Sequence, residues 1–144
     1  MFTTQFFLSV LGATVAGYAV GAIWYSPLLF MNAYLKVLGK DTTDHEANKK
    51  EFARVMIYGF LNTGATAFAL AVILMLLSPS TFLGYFYIVL FICFSFVVTT
   101  KFSDLIYASA GHHWERSAQI LFLINSGYYI FSFGAMTVAF WFLR

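Results

Sequence analysis

Two asparagines stand deep inside apolar stretches long enough to span a membrane, Asn62 and Asn125. A carboxamide both donates and accepts hydrogen bonds, and in hydrocarbon it must find a partner or a ligand. Asn62 lies eight residues beyond Arg54, and Asn125 nine beyond Arg116. At ~1.5 Å per residue, helices starting at those arginines carry both amides to nearly equal depth, roughly 12–14 Å inside a bilayer. Two outcomes are open. The amides bond each other between helices, or they face one solute-binding layer with Thr63, Thr66, Ser126, Tyr128 and Tyr129 as neighbours.

A second polar constellation is Asp104, Tyr107, His112, His113, Trp114, Glu115 and Arg116. Paired histidines beside a carboxylate suit metal binding or acid–base chemistry. The spacing is poor, however: adjacent helical positions point about 100° apart, and the i, i+4 histidine pair of helical zinc sites is missing. His112 and His113 are therefore weak metal candidates, and a polar interfacial loop is the simpler reading. No serine-centred triad, phosphate loop or CxxC occurs, and Cys93 is the single cysteine. Neither a cofactor nor catalysis is expected. The residual enzyme reading rests on Asp104, His112, His113 and Glu115.

The elements that position these groups follow from composition. Hydrophobic residues make up 61% of the chain and charged residues 10%, too few charges to cover a soluble domain. No Asp, Glu, Lys or Arg occurs from Met1 to Leu35, from Val55 to Thr100 or from Ser117 to Leu143. A crossing needs roughly 20 apolar residues, so the outer stretches hold one span each. The middle stretch holds two, divided at Ser78-Pro79-Ser80-Thr81, where proline removes a donor and the hydroxyls favour a turn. The spacing predicts an all-α membrane protein, one domain over residues 1–144, with spans at about 3–25, 55–77, 82–100 and 117–142.

Seven of the eight basic residues fall in segments 36–54 and 101–116, which four spans place on one side. The positive-inside rule makes that side cytoplasmic, with both termini outside an inner membrane. An N-terminal block without Lys or Arg reads as an uncleaved span. In the first loop, Thr43-Asp44-His45-Glu46 fits a capping box, and Glu46–Lys50 and Glu51–Arg54 fit helical pairing. Span two should thus continue about three turns into the cytoplasm. Lys101 and Asp104 suit an ion pair on an extension of span three. The interleaved charges give no reason to expect nucleic acid.

Within span one, Ala13, Gly17 and Gly21 recur every four residues, flanked by Gly12 and Ala16. Such a stripe admits close approach of another helix, from the same chain or a second copy. It leads into Trp24-Tyr25-Ser26-Pro27. Ser26 reads as an N-cap and Pro27 as a first helical residue, so span one breaks there and a second helix runs over about 27–38. Trp24 and Tyr25 then lie in an interfacial aromatic belt, or the break opens backbone oxygens to a ligand.

The string Gly21-x-x-Trp24-Tyr25-Ser26-Pro27-x-x-Phe30 resembles a family of small bacterial and fungal integral-membrane proteins, domain-of-unknown-function family 1761. Leu123-Ile124-Asn125-Ser126-Gly127-Tyr128 is similar to that family's last-span pattern. Tyr34 stands where the pattern has a Trp, and 32–54 carries no match. The resemblance implies a four-helix membrane fold and no particular activity. The residues themselves point to binding or passage of a small solute or lipid by a homo-oligomer among membrane lipids. The alternative is an accessory or assembly subunit of a larger membrane complex.

Overall fold

The computed structural model describes residues 3–39, 45–107 and 115–144, and the side chains within them other than those of residues 45–53. Four helical stretches are long and apolar enough to cross a membrane: Thr4–Trp24, Arg54–Leu77, Phe82–Tyr107 and Arg116–Phe142. No strand occurs among the described residues.

Helix α1 (Thr4–Trp24) starts where Thr3 Oγ1 accepts the Phe6 N–H at 3.2 Å. Its buried hydroxyls are spent locally: Ser9 donates to the Phe6 carbonyl at 2.8 Å and Thr14 to that of Val10 at 2.7 Å. After a turn comes the short α2 (Met31–Val37), then α3 (His45–Leu77). Helix α3 therefore extends beyond its span toward the loop at its N-terminal end, as the charge pairing predicts. Thr43 of the capping box lies outside the described residues. The third span consists of α4 (Phe82–Ile92), a π-helical segment (Cys93–Val98) and α5 (Thr99–Tyr107), longer than the 82–100 expected. The fourth span is α6 (Arg116–Phe142).

Helix α1 is central, packing along α6 on one side and α3 on the other. The small-residue stripe is the reason. Ala13 is fully buried, Gly17 lies under Met136 and Ser132, and Gly21 lies under the Tyr128 ring. Ser132 Oγ reaches the Gly17 carbonyl at 3.3 Å, a contact only a close crossing allows. Toward α3, Thr14 sits against Gly64, and the Tyr18 hydroxyl donates to the Met56 carbonyl at 3.2 Å. The middle is filled by Ala13, Ala67, Val89, Cys93, Phe133 and Met136.

The hairpin between α3 and α4 forms as its residues dictate. Ser78 takes φ +43°, its N–H donates to the Leu74 carbonyl at 2.8 Å, and Thr81 caps α4 by accepting the Gly84 N–H at 3.1 Å. Beyond this turn α3 and α4 diverge. Their opening is an apolar groove of about 750 Å³ between Ile73, Leu77, Ile88, Phe91 and Phe94.

The helix break occurs where expected, but α2 begins at Met31 rather than Pro27. Ser26 does not cap a helix. Its hydroxyl donates to the Ile23 carbonyl at 2.7 Å and accepts the Leu28 N–H at 3.3 Å. The Ser26 carbonyl takes the N–H groups of both Leu29 (3.1 Å) and Met31 (3.2 Å), holding residues 27–30 in turns before α-helical geometry resumes.

A Cβ at Gly17 would come within 2.9 Å of Ser132 Oγ, whereas one at Gly134 meets nothing within 4 Å. Gly17→Val should therefore lose about 1–3 kcal/mol through overpacking. Thermal unfolding in detergent should show a lowered midpoint for Gly17→Val and no fall for Gly134→Ala.

Candidate functional site

The polar side chains gather where α1 ends, against the first half of α6. Trp24 anchors the junction: its indole N–H donates to the Ile124 carbonyl at 3.0 Å, across 100 residues of sequence. The edge of the ring meets Gly127, where a Cβ would stand 2.8 Å from Cζ2. Phe30 and Phe131 flank it, with centroids at 4.7 and 5.2 Å.

One residue on, the Tyr25 hydroxyl donates to Asn125 Oδ1 at 2.8 Å. That bond occupies the amide oxygen and leaves the NH₂ group as a donor. Around it stand further phenols. Tyr25 packs against Tyr34 of α2 (5.2 Å) and Tyr128 of α6 (5.4 Å), and Tyr128 against Tyr129 (5.0 Å). The hydroxyls of Tyr34, Tyr128 and Tyr129 carry no hydrogen bond among the described residues. Ser126 Oγ is buried and likewise without a partner.

Helix α5 supplies the charge. Lys101 Nζ pairs with Asp104 Oδ2 at 2.9 Å, as the i, i+3 spacing predicts, and lies in electrostatic range of Tyr129 and Tyr34. Side chains lean toward the N-terminus of their own helix. Helices α5 and α6 run in opposite directions, so Lys101 leans into the span and Tyr129 back toward the loops, and their tips approach. The result is a donor-rich cluster: three phenols, an amide and an ammonium, with one carboxylate already paired.

The candidates from sequence divide between this place and others. Asn125, Tyr128, Tyr129, Trp24, Tyr25 and Ser26 all belong here, with Pro27 exposed in the turn. Asn62 does not. It is exposed on α3, which α1 separates from α6, so no hydrogen bond joins the two amides among the described residues. Thr66 spends its hydroxyl on the Asn62 carbonyl at 3.0 Å, and Thr63 on that of Gly59 at 2.8 Å. His112 and His113 lie outside the described residues, and no cluster of metal-binding side chains occurs among those described. Sequence reasoning missed Tyr34 and the contribution of Lys101 to this site. Their one signal was Tyr34 following the break by little more than two helical turns, near enough to fold back onto it.

Residues 8–141 match the family described as Protein of unknown function (DUF1761). The chain belongs to that family. Among curated proteins and among solved structures nothing matches it. The matched residues include both the α1 end and the α6 face.

Because a Cβ at Gly127 would meet the edge of the Trp24 ring at 2.8 Å, Gly127→Ala should displace the indole from α6. In a background with Trp114→Phe and Trp141→Phe, Trp24 emission should shift to the red. An unchanged spectrum would show that the ring does not depend on that glycine.

Proposed function

We propose that this protein sits in a cytoplasmic membrane with both termini outside and works as a homo-oligomer. Its role is to bind a small solute or lipid headgroup rich in hydrogen-bond acceptors. The observation that carries the binding reading is the Tyr25–Asn125 hydrogen bond. It orients one amide donor beside three unpartnered phenol hydroxyls and Lys101. Donors without acceptors, next to a cation, suit phosphate, carboxylate or carbonyl oxygens. The orientation rests on the basic residues shared by the two connecting segments.

Binding fits better than passage. The site lies at one end of the bundle, and a separate cleft of about 290 Å³ lies at the other, beside Phe6, Leu74, Tyr85 and Phe140. Between them the interior is filled by Val89, Cys93, Phe133 and Met136, three of them less than 2% exposed and Phe133 at 2%. A solute crossing one chain would have to displace that packing.

The test is native mass spectrometry of protein extracted with its surrounding lipid. The wild-type chain should carry an extra mass whose composition includes oxyanion or carbonyl groups. Combining Tyr34→Phe, Tyr128→Phe and Tyr129→Phe, which removes hydroxyls and keeps the rings, should lower occupancy at least tenfold with the melting midpoint unchanged. A lipid headgroup is distinguished from a free solute by adding each back to delipidated protein. Equal occupancy in wild type and variant would overturn the assignment. A stoichiometric unrelated protein in place of a ligand would favour the accessory-subunit reading.

A further inference from the structure

Helix α3 carries a polar and small stripe on its outermost side. Its core face, Thr63, Ala67, Leu70 and Leu74, is buried against α1 and the centre. At 100° per residue, Tyr58, Asn62, Ala65, Ala69 and Leu76 fall within one arc of about 60° on a side turned away from that face, and all five are exposed. Their spacing alternates four, three, four and then seven residues, the repeat of a left-handed helix pair. The flanking exposed positions, Leu61 and Phe68, are large and apolar, as lipid-facing positions usually are.

Asn62 makes this face more than a run of small residues. Its side chain makes no hydrogen bond among the described residues, and it is exposed eight residues into an apolar stretch long enough to span a membrane. An amide left in hydrocarbon is costly. One turn further, Ala65 and Ala69 leave room for a backbone to come close. A carboxamide is its own complement, offering one donor and one acceptor to a copy of itself. Every copy of this chain enters the membrane the same way up, so a two-fold axis along the membrane normal brings like residues together.

We propose that two copies of this chain associate in parallel through α3, with Asn62 hydrogen-bonded to Asn62 of the second copy across the axis and Ala65 and Ala69 at the crossing. This interface gives the homo-oligomer a surface and does not depend on what the tyrosine site binds.

Cysteine scanning of the full chain in native membranes tests it. The natural Cys93 is fully buried, so the parent chain should give no oxidative cross-link. Single cysteines at Tyr58, Asn62, Ala65 and Ala69 should each cross-link to a dimer, while those at Leu61 and Phe68 should cross-link at least fivefold less. In detergent, Asn62→Leu should weaken the dimer by roughly three- to thirtyfold, the value of one interhelical hydrogen bond, and Asn62→Gln should retain it. Cross-linking that peaks at Leu61 and Phe68, or is absent at Asn62, would overturn the proposal, as would linkage of Asn62→Cys to a different protein.

Discussion

In hydrocarbon an apolar helix gains nothing from burying an apolar face, because lipid is as good a neighbour as leucine. What remains is close approach. Here that constraint is met by α1, whose Ala13, Gly17 and Gly21 bring its backbone near enough to α6 for Ser132 to reach the Gly17 carbonyl. The same helix packs on α3 through Thr14, Tyr18 and Gly64. Where no such device exists, packing fails. Below their hairpin, α3 and α4 carry Ile73, Leu77, Phe91 and Phe94 toward each other and leave a groove.

The site inherits this arrangement. Once α1 lies against α6, Trp24 at its end meets Gly127 and the Ile124 carbonyl, and Tyr25 meets Asn125. The turn at 26–30 then directs α2 back along α6, which places Tyr34 beside Tyr25. A wider crossing would lose the indole hydrogen bond and the Tyr25–Asn125 bond that orients the amide. Structural packing and the candidate chemistry are therefore one continuous arrangement rather than a scaffold with a separate site.

The two ends of the bundle are built differently. At the hairpin end, Trp141 packs edge-on to Phe82 and Tyr85, and the Arg144 guanidinium stacks 3.4 Å above its ring. This is an aromatic belt with a cation held at the interface. At the other end a cluster of four tyrosines, Tyr25, Tyr34, Tyr128 and Tyr129, stands near Lys101 and Asp104. The π-helical segment marks the change between them. Its irregular ladder engages the hydroxyls of Thr99 and Thr100 with the carbonyls of Ser95 and Phe96, the local adjustment that lipid demands of any break in helical bonding.

Most local signals were legible in the sequence. Charge-free length determined the four spans, Ser78–Thr81 the hairpin, and the three-residue spacing the Lys101–Asp104 pair, since each depends on neighbours along the chain. Relative depth was a matter of arithmetic, because rise per residue is constant. Azimuth was not. Asn62 and Asn125 share a depth by arithmetic, yet one faces outward and the other meets Tyr25, because the direction a side chain takes depends on which face its helix buries. Likewise Ser26-Pro27 signalled a break, but tertiary turns holding the Ser26 carbonyl set where α2 begins. The sequence by itself determined which segments enter the membrane and how they end. Only the tertiary structure decided which polar groups meet, because close packing among helices of similar apolarity is governed by the shapes of two surfaces together, and neither shape is written in one segment alone.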